Sequence, residues 1–159
     1  MHMPVSRDEL LAIERAAVAA WPALETADIN GWLWRYSGGG SQRANSVSAL
    51  CFRGSDVDSS IAAAEARYRA RGAAPMFQIC DVNVPADLDQ RLERRGYRVQ
   101  ELCTCLAKRI TPDPSAGFEA SVEPAEEPTE AWLSIFYRNF GGVRGRIAFC
   151  YWKPLSAWR

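Results

Sequence analysis

The run GWLWRYSGGGSQRANSV, Gly31 to Val47, limits the possible folds more than any other stretch of this chain. Trp32, Trp34 and Tyr36 fall on one side of an alternating segment and Leu33 and Arg35 on the other, and a period of two is strand chemistry. The tract Ser37-Gly38-Gly39-Gly40-Ser41 follows, and glycines supply the positive φ angles that a hairpin turn needs. A second alternating run from about Gln42 to Phe52 completes the expected hairpin. A phosphate-cradling glycine loop would instead lead into a helix whose free N–H groups meet the anion. A strand follows here, so the glycines are read as a turn. The aromatic stripe reads first as sheet core packed under a helix. In a second reading, Trp32, Trp34 and Tyr36, with Arg43 and Asn45 nearby, form a cleft that receives a substrate or a partner.

Helical spacing surrounds this sheet. Leu10, Leu11, Ile13, Ala17, Val18 and Trp21 recur on one face from about 6 to 20, with Ser6 as N-cap and Glu9 as its capping-box partner. Asp56 or Asp58 opens a second helix through Ile61, Ala64 and Tyr68 that closes at Gly72. A short strand, Met76 to Cys80, precedes a third helix from Ala86 to Arg95, which stops at Gly96. Tyr97 to Lys108 alternates as a long strand. Proline-bearing linkers follow at Thr111 to Ser115 and Pro124 to Pro128, then a fourth helix over 131–140 and a closing strand-like RIAFCYW. The expected organisation is a unit over 1–110, a linker over 111–128 and the start of a second, incomplete unit over 129–159.

At 159 residues the chain has the length of about one domain. Nineteen basic side chains balance nineteen acidic ones, so no overall field draws in nucleic acid or an anionic membrane, and neither partner is expected. The cluster Arg91, Arg94, Arg95 and Arg98 reads as the solvated face of the third helix. Five cysteines, an odd number placed mostly in apolar runs, read as those of a reducing, cytoplasmic protein, with Cys103 and Cys105, at strand spacing, as core thiols and not metal ligands. His2 is the one histidine, which argues against a metal site and against a histidine-dependent hydrolase triad.

The order strand, turn, helix, strand, helix, Gly-aromatic, strand from Arg53 to Glu101 resembles the acetyl-CoA half of the GCN5-related N-acetyltransferase family. Leu88 to Tyr97, a helix that ends in Arg-Gly-Tyr and feeds a strand, resembles that family's Leu-Tyr-x-x-x-Gly-Phe ending. GWLWR and RANSV together resemble the divergent N-terminal half of a bacterial subgroup built from two such units. The resemblance implies an α+β fold, with a mixed, mostly antiparallel sheet and helices on both faces. It also implies acetyl transfer from acetyl-CoA to an amine, and a small amine as substrate.

The family holds the cofactor's pyrophosphate on a Q/R-x-x-G-x-G/A turn at a helix N-terminus. That pattern falls on Arg53, Gly54 and Ser55, the candidate cofactor-binding residues, and puts Asp56 and Asp58 where the glycines belong. Two carboxylates repel a pyrophosphate. The family's general-acid tyrosine falls on Leu92, so no catalytic residue is assigned. The resemblance therefore predicts weak or absent acetyl-CoA binding, with a non-catalytic scaffold, binding or dimerisation domain as the alternative. Apolar Trp152, Leu155 and Trp158 add the expectation of a homodimer.

Overall fold

The Ser6 hydroxyl accepts from the Glu9 N–H while the Glu9 carboxylate accepts from Ser6, so the expected capping box opens α1, Arg7–Ala19. The structure, a computed structural model, describes residues 5–39, 41–100, 102–103, 129–131 and 150–152. The elements below belong to one compact unit, Met1–Cys103 with Ile147–Arg159, and Thr104–Arg146 form the other. The expected linkers at 111–115 and 124–128 and the body of the expected fourth helix lie outside the described residues.

The tight hairpin comes one strand earlier than the sequence suggests. β1, Glu25–Ile29, pairs antiparallel with β2, Trp32–Tyr36, with Ile29 opposite Trp32, so Asn30 and Gly31 alone form the turn. Their φ angles of 52° and 96° suit a type I′ turn, for which Asn-Gly is a favoured pair. The glycine tract closes a wider loop. Gly38 and Gly39 take positive φ, but the chain then makes a 3₁₀ turn at Arg43–Asn45, and β3 is only Val47–Ser48. The Asn45 side chain holds this loop. It accepts from the N–H groups of Ser37 and Gly39 and donates to the carbonyls of Gly39 and Ser41, so it does the work of a strand ladder.

The chain continues through α2, Val57–Arg69, β4, Met76–Gln78, α3, Leu88–Arg94, and β5, Arg98–Val99, and β6 is Cys150–Trp152. Among the described residues the strand order is β1-β2-β3-β4-β6-β5. Only β3 and β4 run parallel, so the sheet is mixed and mostly antiparallel, as the α+β reading requires. β6 lies in this same sheet, paired with β4 on one side and β5 on the other.

α2 and α3 close one face. Ile61, Ala64 and Tyr68 from α2 and Leu88 and Leu92 from α3 are buried against Trp32, Trp34, Val47 and Phe77. Full burial of each large apolar side chain contributes about 1.5–3 kcal/mol, so this face carries most of the stability. Gly96, at φ 84°, ends α3 and returns Tyr97 to the core, where its ring meets Phe77 edge-on.

α1 lies over the opposite face, where Arg7 donates to the carbonyls of Asp81 and Val82 and the Gln78 amide donates to Glu14. None of its residues is buried: Leu10, Leu11, Ile13 and Val18 are half-buried, Ala17 is exposed and Trp21 lies exposed beyond its end. The sheet beneath is part polar, because Arg35, Ser48 and Gln78 stand on it. Arg35 is 2% exposed and donates to the Ser46 carbonyl and hydroxyl and to the Gln78 amide oxygen.

Two further expectations are corrected. Cys103 is exposed, so it is not a core thiol, and Cys105 lies outside the described residues. Arg91 and Arg95 do not form a solvated face: they turn towards α2, where Arg91 meets Asp58 at 2.9 Å and Arg95 meets Glu65 at 3.1 Å.

Candidate functional site

Asp56 is the N-cap of α2. Its Oδ1 accepts from the N–H of Asp58 at 2.9 Å and of Ser59 at 3.2 Å, and its Oδ2 accepts from the Ser59 hydroxyl. That hydroxyl, followed by the Ser59 N–H, holds the Asp56 carboxyl below the usual aspartate range. Two of the N–H groups that this helix start could offer to an anion are therefore already engaged by the chain's own carboxylate. Asp58 adds a second negative charge and spends it on Arg91 and Arg95.

The same network continues inward. Glu65, 4% exposed, accepts from Arg95 and, at 3.1 Å, from the Tyr97 hydroxyl. Burial, then the Glu65 charge, pushes the Tyr97 phenol far above its ordinary range, so it stays a neutral donor. These contacts tie α2 to α3 and leave Arg91 and Arg95 already paired with carboxylates. The residues at this turn do not fit a pyrophosphate.

The candidate cofactor residues lie just before that turn. Arg53 is mostly exposed and pairs with Asp28 at 2.7 Å, and its N–H donates to the Asn30 carbonyl. Gly54 is packed: a Cβ there would stand 2.9 Å from the Phe52 ring and 3.0 Å from Asn30. Ser55 is exposed. Leu92, at the tyrosine position of the family, is fully buried.

The candidate cleft residues separate. Trp32 and Trp34 are interior, 0% and 1% exposed, and the Trp32 indole donates to the Val84 carbonyl. Tyr36 is half-buried and stacks on Trp34, with the Arg71 guanidinium over both rings. Arg43 lies over the Trp21 ring, and Asn45 is spent on its own loop. The structure thus joins Trp34 with Tyr36 under a cation that Glu25 also holds.

An open cleft of about 450 Å³ lies elsewhere, between α1 and the β2–β3 surface. Arg15, Val18 and Ala19 of α1 and Pro22 just beyond its end form one side, and Leu33, Ser48 and Leu50 lie opposite. Positions 15, 18 and 19 share one face of α1, and that spacing is the only sequence signal of the cleft. Of these residues only Val18 belongs to the apolar stripe read from the sequence, so the cleft was not anticipated. Beside the cleft, burial raises the Glu14 carboxyl above its ordinary range, partly offset by Arg43. Among the described residues no group of three or more His, Cys, Asp or Glu could hold a metal ion, and no helix is long and apolar enough to cross a membrane.

An open mixed sheet of this order, with helices on both faces, is the frame of an acetyltransferase-like protein. The sequence model of the family described as "Probable histone acetyltransferase Rv0428c C-terminal" matches residues 8–149, and the chain belongs to that acetyltransferase family. It is 29% identical over 137 residues to the probable histone acetyltransferase Rv0428c of Mycobacterium tuberculosis (strain ATCC 25618 / H37Rv), a match covering 86% of this chain and 41% of that protein. It is 29% identical over 139 residues to the uncharacterized N-acetyltransferase YobR of Bacillus subtilis (strain 168), covering 84% and 54%. The chain therefore spans about half the length of these curated relatives. No solved structure matches it.

Proposed function

We propose that this chain is the supporting unit of an acetyl-CoA-dependent N-acetyltransferase, one whose own helix start does not hold the cofactor's pyrophosphate. The observation that carries the reading is the Asp56 carboxylate on the N–H groups of Asp58 and Ser59. A pyrophosphate there would have to displace one carboxylate and approach a second. Names given to the relatives support the chemistry of acetyl transfer to an amine. The anion-binding turn then belongs to another part of the protein or to a partner subunit.

A purely structural reading is favoured by one further observation. The aromatic stripe that would make an attractive binding wall is interior, with Trp32 and Trp34 packed beneath α2. In that reading the unit organises or pairs a second unit and binds no substrate.

Isothermal titration of the chain with acetyl-CoA, beside an Asp56→Gly/Asp58→Gly variant checked for folding, tests the proposal. The expected result is no heat from the parent and measurable binding by the variant, whose helix start is freed. Tight binding by the parent would overturn it. Silence from a folded variant would leave only the structural reading.

A further inference from the structure

We infer that β1 is an interaction edge on which a second copy of this chain adds antiparallel, so that the two sheets continue through a β1–β1 pair, independently of where acetyl-CoA is held. β1 stands at one end of the strand order and pairs with β2 alone among the described residues. Ile29 faces Trp32 across a two-residue turn, so Ile29, Ala27 and Glu25 give their main-chain N–H and C=O groups to β2, and Thr26 and Asp28 turn theirs outward. Both residues are exposed, and among the described residues no other main-chain group bonds to them.

The two edges of the sheet are not alike. β5, at the far end, is only Arg98–Val99, and so short an edge strand offers little to a partner. β1 has five residues in unbroken register with β2, and it carries no proline, lysine or bulge, the devices that commonly block an edge. Its two charges are already answered within the chain, Glu25 by Arg71 and Asp28 by Arg53. Leu24, directly before the strand, is 87% exposed and lengthens the edge with an apolar side chain.

Symmetry and charge set the register. Identical strands that close on one another share a two-fold axis. An axis on Ala27 is the one that engages all five residues, and it lets Thr26 exchange both main-chain hydrogen bonds with Asp28 of the partner subunit, and the reverse. Glu25 then faces the partner subunit's Ile29, and the Thr26 hydroxyl lies beside the partner's Asp28, so no carboxylate stands directly opposite another. An axis on Asp28 would set two carboxylates face to face.

Sedimentation equilibrium of the chain from about 1 to about 100 μM should show a monomer–dimer equilibrium with Kd on the order of 10 μM, the weak range of a small interface. Thr26→Pro removes an outward N–H and spares the ladder to β2, and it should raise Kd roughly ten-fold or more with an unchanged circular dichroism spectrum. Thr26→Asp and Thr26→Lys, both opposite the partner's Asp28, should move Kd roughly five-fold in opposite directions, up for aspartate and down for lysine. Ala27→Cys, on the axis, should give a covalent dimer under mild oxidation beyond any that the parent forms, since residues facing across such a pair lie within disulfide reach. A parent that stays monomeric at the highest concentration overturns the inference. A dimer that Thr26→Pro does not weaken and Ala27→Cys does not cross-link forms through another surface and overturns it equally. Should Thr26→Pro lose its fold, the cross-link and the opposed aspartate and lysine variants decide.

Discussion

Trp32 and Leu33 are neighbours in sequence and live in different environments. Trp32 lies in the face closed by α2 and α3, with no exposed surface, whereas Leu33 lies in the face that α1 only half covers. Polar groups differ as well. On the closed side Asp58 meets Arg91 and Glu65 accepts from Arg95 and Tyr97, although the Trp34 indole N–H is buried there without a hydrogen-bond partner, while on the open side Arg15 is exposed at the edge of a cleft. The tightly packed face carries most of the burial. The helix start that the family would use for an anion belongs to α2, on the closed side.

The largest test of this contrast is a pair of core deletions. Trp32→Ala removes an indole that packs on Phe52 and Phe77 and donates to Val84, and it should cost about 3–5 kcal/mol. Leu11→Ala, on half-buried α1, should cost about 1 kcal/mol. Urea midpoints with matched slopes give both values. Similar losses would mean that α1 closes its face as tightly as α2 and α3 close theirs, and the contrast would fall.

A smaller effect is expected from Gln78→Leu. That side chain accepts from buried Arg35 and donates to Glu14, so its loss strips a partner from a guanidinium with little access to water. A cost of about 1–3 kcal/mol follows. Gln78→Glu sharpens the reading, because it restores an acceptor for Arg35 and places a like charge beside Glu14. Its stability should fall as pH rises past the carboxylate range, and a pH-independent midpoint would show that the two side chains do not interact.

Local chemistry made much of this architecture legible. Ser6 with Glu9, Asp56, Gly72 and Gly96 name their helix ends through capping and positive φ, and Leu88 with Leu92 names the buried stripe of α3. What failed needed long-range knowledge. Glu25–Ile29 carries two acidic residues and a weak alternation, so the Asn30-Gly31 turn was passed over for the more obvious glycine tract. That Arg35 would be buried was not legible, since nothing local says that Ser46 and Gln78 will surround it. Of the site, the conflict between Asp56 and a pyrophosphate was visible in six residues. The cleft was not, because it depends on how α1 stands over β2 and β3, which no local pattern states.

The smallest effect concerns the thiols and probes the open face without perturbing it. Cys80 is half-buried and burial, the largest cause, pushes its thiol up to about 11, while Cys103 is exposed. The thiolate is the reactive form, so at pH 8 roughly one Cys80 in a thousand is ionised, and iodoacetamide should label Cys103 first and Cys80 slowly. The sign for stability follows from the same shift. The folded chain favours the neutral thiol relative to an unfolded value of about 8.5, so Cys80's contribution is intact below that pH and is lost as pH rises towards 11. Peptide mapping of the label at pH 8 reads the first statement, and urea midpoints between pH 8 and 10, compared with Cys80→Ser, read the second. Equal labelling of the two cysteines would show that the region where Arg7 and Asn83 border Cys80 opens as freely as an exposed surface, and the half-covered face would have to be redrawn as an uncovered one.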